Sequence, residues 1–285
     1  MAPPTPIRAC LFDMDGLLLD SEDLYTLCTN ILLAEYNRPA LPWSIKAQLQ
    51  GRPGPAASKI FHDWAQLPCT PDEYNAKNAA LQREHFPSTQ PLPGVADLLS
   101  RLGAAQEAGK VDIALATSSH RANFELKTNH LQSLFAPFRP ENRVLGDDPR
   151  IPKGRGKPAP DIYLLALETL NARRRLQGEK HDILPQECLV FEDSVPGVES
   201  GRRAGMQVVW CPHPELLNEY AGREELVLAG LMGEHKEVED EAALGTATQG
   251  GEVQKGKAPG EVGDGWAVLL KSLEGFPYAR FGIEA

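Results

Sequence analysis

The sequence contains no run of about 20 apolar residues, the length that a helix needs to cross a bilayer, so no membrane-spanning helix is expected. The first residues, Met1–Pro6, lack the basic region and apolar run that are typical of a signal peptide. The five cysteines form no Cys-x-x-Cys pair and are odd in number, which argues against a disulfide framework. These absences predict a cytoplasmic protein with reduced thiols and no membrane partner.

The chain also lacks an excess of basic residues. Its formal net charge is −10 at pH 7, so binding to nucleic acid through phosphate contacts is not expected. Half of this charge comes from the stretch between Glu234 and Asp264, which holds eight acidic and three basic residues. Residues 233–265 have almost no large apolar side chains, so we predict a disordered acidic insertion there.

Short apolar runs alternate with amphipathic helical patterns along most of the chain, which predicts a doubly wound α/β fold with a parallel, Rossmann-like sheet. The expected strands are Ile7–Phe12, Val111–Ala116, Arg143–Leu145, Cys188–Phe191 and Val208–Trp210. The expected helices include Val95–Leu102, Asp161–Leu170 and Val198–Ala204. Apolar runs this short and continuous suit strands that are buried on both faces of a sheet.

Residues 21–88 break this alternation, because they show helical periodicity and no convincing strand. Proline and glycine punctuate the interval, as is typical of short helices joined by turns. We therefore predict a small α-helical domain inserted after the first strand, while residues 1–20 and 89–285 form the α/β core domain. Within the inserted domain, Lys46 and Lys59 are predicted to be solvated helix residues.

Polar side chains follow the predicted strands at their carboxyl ends, where open parallel sheets bind their ligands. If the strands are neighbours, four carboxylates, a cluster of hydroxyls and one ammonium group meet at this edge of the sheet. These groups belong to Asp13, Asp15, Thr117, Ser118, Ser119, Lys157, Glu192 and Asp193. Each motif alone is also typical of a turn or a helix cap, but their joint placement at strand ends indicates a functional site.

This combination of groups suits phosphoryl transfer that is assisted by Mg²⁺. Magnesium prefers hard oxygen ligands, which Asp13, Asp193 and Glu192 can supply. Asp13 can act as a nucleophile and form an aspartyl-phosphate, which divides one difficult displacement into two easier steps. Asp15 can protonate the leaving oxygen and later activate water. The predicted phosphate-binding side chains are Thr117, Ser118 and Lys157.

The motifs resemble those of the haloacid dehalogenase-like phosphatases. The four matching segments are Asp13–Glu22, Ala116–Ser119, Gly156–Asp161 and Phe191–Ser194. The resemblance covers the sheet domain and places a cap where the helical insertion lies. It implies Asp13 as the nucleophile, Asp15 as the acid–base group, and the backbone carbonyl of Asp15 as a metal ligand beside Asp193. The segment Gln50-Gly-Arg-Pro53 is similar to a cap loop that faces the active site, so Arg52 is a predicted substrate contact.

A closer similarity, carried by Leu145–Pro149 and Ser272–Phe276, is to the subgroup that contains pseudouridine-5′-phosphatase. It implies a small phosphorylated metabolite as the substrate, with pseudouridine 5′-phosphate expected first. A monomeric protein is expected. Glycerol phosphate, a deoxysugar phosphate and flavin mononucleotide stay open as substrates. A sugar phosphomutase that uses the same aspartyl-phosphate step is an alternative function. Asp15 argues against a haloacid dehalogenase, and the complete motif set argues against a non-catalytic binding protein.

Overall fold

The computed structural model describes residues 6–52, 54–232 and 260–285. The strands are β1 (Ala9–Phe12), β2 (Asp112–Ala116), β3 (Arg143–Val144), β4 (Cys188–Glu192), β5 (Gln207–Trp210) and β6 (Ala267–Leu269). The α-helices are α1 (Ser21–Glu35), α2 (Trp43–Leu49), α3 (Gly54–Ala65), α4 (Pro71–His85), α5 (Val95–Glu107), α6 (Arg121–Thr128), α7 (Gln132–Phe135), α8 (Asp161–Leu176), α9 (Val195–Arg203), α10 (Pro214–Glu219) and α11 (Glu224–Leu228). Most of the predicted acidic insertion, residues 233–259, lies outside the described residues.

The six strands form one parallel sheet in the order β3-β2-β1-β4-β5-β6, which confirms the predicted fold class. Strand β1 lies between β2 and β4, and its Phe12 is aligned with Leu115 of β2 and Phe191 of β4. The order of connection reverses at β1, and open parallel sheets bind ligands in the crevice at such a switch point. Side chains that directly follow these three strands therefore lie close to one another.

The strand side chains alternate between two apolar cores, one on each face of the sheet. Phe12 packs with α5 and with the C-terminal residues Phe276 and Phe281 on one face. Leu11 packs with α8 and α9 on the other face. The rings of Phe12 and Phe191 stack with their centroids 4.3 Å apart. Burial on both faces explains why the strands read as continuous apolar runs.

Helices α1 to α4 follow β1 and lie within the interval that is predicted to be a helical insertion. Helices α1, α3 and α4 share a small apolar cluster that consists of Leu32, Leu33, Phe61, Ala65 and Tyr74. Helix α4 begins with a capping box, because Thr70 Oγ1 accepts from the Glu73 amide at 3.2 Å and the Glu73 carboxylate accepts from the Thr70 amide at 2.8 Å. The domain limits at residues 21 and 88 stay a prediction.

The edge strand β6 was not among the predicted strands. It pairs with β5 through Val208 and Ala267, and it follows the predicted acidic insertion, where the alternation of strand and helix is interrupted. Just before it, Asp264 pairs with Arg202, so the end of the predicted acidic insertion contacts the core. In the described ranges, no helix combines the length and the apolar character that crossing a bilayer requires.

Candidate active site

Asp13 directly follows β1 and is buried, with 6% of its surface exposed. Its amide donates to the carbonyl of Phe191 at 3.0 Å, which continues the pairing of β1 with β4 and holds the side chain at the sheet edge. Lys157 Nζ donates to Asp13 Oδ1 at 2.5 Å and lies 2.6 Å from Glu192 Oε1. Burial raises the pKa of Asp13 to about 7; Lys157 opposes this shift, and Glu192 adds to it. The predicted nucleophile and the predicted phosphate-binding lysine are therefore in direct contact.

Asp13, Glu192 and Asp193 form a buried acidic cluster, in which one carboxylate oxygen of each residue lies within 4.8 Å of the others. Burial raises the pKa of Asp193 well above its ordinary range, and the charges of Glu192 and Asp13 add to the shift. In the part of the chain that the structure describes, Lys157 offsets one of the three negative charges. The remaining charge matches a divalent cation, and carboxylate oxygens are ligands that Mg²⁺ prefers. The residues present therefore fit a magnesium ion.

The carboxylate of Glu192 is fully buried and is surrounded by protein donors. Its Oε1 accepts a hydrogen bond from the Tyr163 hydroxyl at 2.5 Å as well as from Lys157. Its Oε2 accepts from the hydroxyl and the amide of Ser194 at 3.1 and 3.3 Å. Gly197 permits this packing, because a Cβ there would lie 2.0 Å from the carboxylate carbon of Glu192. Glu192 is thus engaged by the protein on both oxygens and anchors Lys157.

Asp15 lies two residues beyond Asp13 and accepts hydrogen bonds from three side chains. Ser21 donates to Oδ1 and Ser119 donates to Oδ2, each at 2.6 Å, and Lys127 pairs with Oδ1. Burial opposes ionisation of Asp15, but the charge of Lys127 and the hydrogen bonds outweigh it and lower the pKa of this carboxyl. The pKa values of Asp13 and Asp15 therefore shift in opposite directions, as is typical of paired carboxyls with different chemical roles.

The predicted hydroxyl donors follow β2, next to β1 in the sheet. Thr117 is fully buried; its amide donates to the Val144 carbonyl at 3.1 Å, and its Oγ1 accepts from the Ser119 amide at 3.1 Å. Ser118 beside it is half-buried. Because β2 pairs with β1, Thr117 lies at the same sheet edge as Asp13.

The loop after α2 brings the helical insertion to the acidic cluster. Gln50 Nε2 donates to Asp193 Oδ2, while Gln50 Oε1 is buried without a hydrogen-bond partner among the described residues. Gly51 has a φ of +74°, and a Cβ there would lie 2.3 Å from the Ser194 hydroxyl, so glycine permits this close approach. Arg52 Nε donates to a main-chain carbonyl of α2 at 2.5 Å, and its predicted contact with substrate stays a prediction.

Lys127 was not predicted as a residue of this site, and Gln50 was predicted only as part of the segment that is similar to a cap loop. Lys127 is fully buried on α6 together with Phe124 and Thr128, at the i, i+3 and i+4 positions of one helix face. A lysine within such a buried stripe is the signal that could have identified it. Gln50 follows the end of α2 in a loop, so no periodic pattern marks it.

The prediction for Lys46 was wrong, because only 4% of its surface is exposed. Its Nζ donates to Thr26 Oγ1 at 2.7 Å and to the Glu22 carbonyl at 2.9 Å, so it joins α2 to α1. Burial of a lysine with partners on a neighbouring helix cannot be inferred from its own helix alone. The prediction for Lys59 is confirmed, since 77% of its side chain is exposed.

Comparison with known proteins gives a consistent result. A family model described as "haloacid dehalogenase-like hydrolase" matches residues 7–205. The chain is 46% identical over 230 residues to the Saccharomyces cerevisiae protein named "Probable pseudouridine-5′-phosphatase", covering 81% of this chain and 92% of that protein. It is 36% identical over 232 residues to (DL)-glycerol-3-phosphatase 1 of Arabidopsis thaliana, covering 79% of this chain and 71% of that protein. A solved structure from Entamoeba histolytica, described as a HAD (haloacid dehalogenase) hydrolase, has the same fold, with a TM-score of 0.57 and 22% identity. The match covers 75% of this chain and 87% of that chain.

Proposed function

Because the chain belongs to the haloacid dehalogenase-like hydrolases, we propose that it is a magnesium-dependent phosphatase that hydrolyses small phosphomonoesters through Asp13. The family match and the phosphatase relatives confirm the predicted enzyme class, a phosphoric monoester hydrolase. The observation that carries the proposal is the contact of Asp13 with Lys157 at 2.5 Å beside the buried carboxylates of Glu192 and Asp193. A carboxylate nucleophile requires nearby positive charge before a phosphate dianion can approach it.

The reaction has two steps in this arrangement. In the first step, an Asp13 oxygen attacks phosphorus, the bond from phosphorus to the ester oxygen breaks, and Asp15 gives a proton to the leaving oxygen. In the second step, water attacks the aspartyl-phosphate and Asp15 accepts its proton, which releases inorganic phosphate and restores Asp13. Lys157, Thr117 and Ser118 bind the phosphoryl oxygens in both steps.

Asp13 and Asp193 would hold the magnesium ion with their side chains, and Asp15 would hold it with its backbone carbonyl. Glu192 would complete the acidic cluster around the ion, and both of its oxygens accept hydrogen bonds from the protein. When bound, Mg²⁺ offsets the repulsion between the phosphate dianion and the carboxylates. The surplus negative charge of the buried cluster supports this assignment.

Helices α1 to α4, in residues 21–88, act in this proposal as the cap that contacts the leaving group. Gln50 supports this role of the helices. Its Nε2 donates to Asp193, and its Oε1 is a buried acceptor without a hydrogen-bond partner among the described residues. Such an acceptor suits a leaving group that carries N–H or O–H donors. Pseudouridine 5′-phosphate is therefore the first candidate substrate, and glycerol 3-phosphate is the second. Arg52 is the second proposed substrate contact from this loop.

We further propose that the enzyme is a cytoplasmic monomer that uses neither nucleic acid nor a membrane. All five cysteines are free, which supports a reducing compartment. The net charge of −10 disfavours phosphate-driven binding to nucleic acid. Sedimentation of the purified protein and fractionation of cells that express it would test these points.

Release of inorganic phosphate from a panel of esters tests the proposed function. The panel contains pseudouridine 5′-phosphate, uridine monophosphate, glycerol 3-phosphate, a deoxyglucose phosphate, flavin mononucleotide and glucose 1-phosphate, each with Mg²⁺ and with chelator. We expect Mg²⁺-dependent release by the wild type and none by Asp13→Asn. If the folded wild type releases phosphate from no ester, the proposal is wrong. Conversion of glucose 1-phosphate to an isomer would instead indicate a phosphomutase.

A further inference from the structure

The two carboxyls of the site are each paired with their own buried lysine. Lys157 pairs with Asp13, and Lys127 pairs with Asp15. Lys157 has a place in the proposed mechanism, because it reaches the phosphate-binding edge. Lys127 has none, although it is fully buried. A buried ion pair is often no more stabilising than apolar residues of the same shape, so stability alone does not account for Lys127.

Lys127 contacts Asp15 through more than one route. Its Nζ forms the ion pair with Asp15 Oδ1 and donates to Ser119 Oγ at 2.7 Å. The Ser119 hydroxyl in turn donates to Asp15 Oδ2 at 2.6 Å, so lysine and serine together hold both carboxylate oxygens. Asp15 accepts from every side chain that contacts it in the described structure and donates to none. This arrangement presents Asp15 as an oriented carboxylate, the form that takes a proton from water.

The same contacts connect Asp15 to both ends of the helical insertion. Ser21, the first residue of α1, donates to Asp15. The Tyr25 hydroxyl, also on α1, lies 3.2 Å from Lys127 Nζ, which lies 5.3 Å from the ring centre of Phe86, just beyond α4. The orientation of Asp15 is therefore linked to the position of α1 and of the segment that leaves α4.

From this geometry we propose that Lys127 is a positioning residue that orients Asp15 for the proton-accepting step, the hydrolysis of the aspartyl-phosphate. The inference rests on the proposed phosphatase function. In that step the water oxygen bonds to phosphorus, the bond from phosphorus to Asp13 breaks, and the water proton passes to Asp15. Lys127 itself bonds to neither substrate nor phosphate.

The test uses p-nitrophenyl phosphate, whose leaving group departs without a proton from Asp15. In Lys127→Met, formation of the aspartyl-phosphate should continue while its hydrolysis slows. We expect a burst of p-nitrophenol followed by a kcat that is about 100-fold below the wild type, at the lower end of the range of general base catalysis. KM should fall in parallel with kcat, and acid quenching with radiolabelled ester should trap phosphorylated Asp13. Loss of structure alone would lower the amplitude of the burst and the steady-state rate together.

Matched variants separate the possible outcomes. Lys77→Met, which removes an exposed ion pair with Glu35, should behave as the wild type. Ser119→Ala should show the same burst with a smaller loss of kcat, because Ser119 bridges Lys127 and Asp15. If Lys127→Met does not fold, this variant tests whether the contacts of Asp15 orient it for hydrolysis of the aspartyl-phosphate. An active wild type beside a folded variant that shows no burst and no trapped phosphoenzyme overturns the role of Lys127. A wild type without Mg²⁺-dependent turnover overturns the proposed function instead.

Discussion

Asp193→Asn tests directly whether the buried acidic cluster is a metal site. The substitution removes one negative charge but keeps the size of the side chain and an oxygen that can accept from Gln50 Nε2. We expect the metal-free protein to become more stable, because the cluster holds less surplus negative charge. We also expect Mg²⁺ to lose its stabilising effect, because a principal ligand is gone.

The size of the gain follows from the geometry of the cluster. Two like charges 4.8 Å apart repel by about 3.5 kcal/mol at an effective dielectric constant of about 20. Asp193 faces the carboxylates of Glu192, Asp13 and Glu22, and Lys157 offsets one of these repulsions. The Glu22 carboxylate is itself paired with Lys46 at 3.5 Å. Burial and the neighbouring charges raise the pKa of Asp193, so proton uptake relieves part of the remaining charge repulsion. The expected gain in the free energy of unfolding is therefore about 1–3 kcal/mol without metal.

Urea unfolding with chelator and with MgCl₂, at constant ionic strength and neutral pH, measures both effects. For the wild type, Mg²⁺ at a hundred times its Kd should add about 2.7 kcal/mol to the free energy of unfolding. For Asp193→Asn the addition should be close to zero. Asp63→Asn, an exposed carboxylate paired with Lys59 on α3, is the matched control and should respond to Mg²⁺ as the wild type does.

Two results would refute this reasoning. If Asp193→Asn keeps the full stabilisation by Mg²⁺, the ion binds elsewhere in the protein. If the metal-free variant is less stable than the wild type by more than about 1 kcal/mol, the cluster is held by hydrogen bonds that outweigh its charge repulsion.

Three further predictions concern single contacts of the site. Glu192→Gln should lower kcat at least about tenfold, because this carboxylate anchors the phosphate-binding lysine. The Kd for Mg²⁺, measured by calorimetric titration, should change by less than about tenfold. Gly16→Ala should lower the free energy of unfolding, measured in urea, by about 1–2 kcal/mol or more, because φ at this position is +77°. It should also weaken stabilisation by Mg²⁺, because a Cβ would lie 2.3 Å from Asp193 Oδ2. Gln50→Leu should raise KM for the preferred ester about tenfold in steady-state kinetics, whereas a smaller change would argue against its contact with the leaving group.

The sheet and the chemistry at its edge could be predicted from sequence because both are local signals. Four of the six strands correspond to nearly continuous apolar runs and β3 to a weaker one, and polar motifs directly follow three of the strands. Parallel strands bring their carboxyl ends to one edge, so the motifs after β1, β2 and β4 had to converge once those strands were neighbours. The edge strand β6 escaped prediction because it follows the predicted acidic insertion, where the alternation of strand and helix is interrupted.

Most groups of the candidate site could be predicted from the order of motifs and strands along the chain, although Lys127 could not. The environment that tunes each group arises from tertiary packing. Asp13 and Asp15 are two residues apart, yet their pKa values shift in opposite directions. Burial and the charge of Glu192 raise the pKa of Asp13 more than Lys157 lowers it, whereas Lys127 and the hydrogen bonds to Asp15 outweigh the effect of burial there. The two lysines lie 144 and 112 residues away along the chain. Gln50 reaches Asp193 across 143 residues, through packing of the helical insertion on the core. Burial and charge depend on what surrounds a residue in space, and no local pattern records those neighbours.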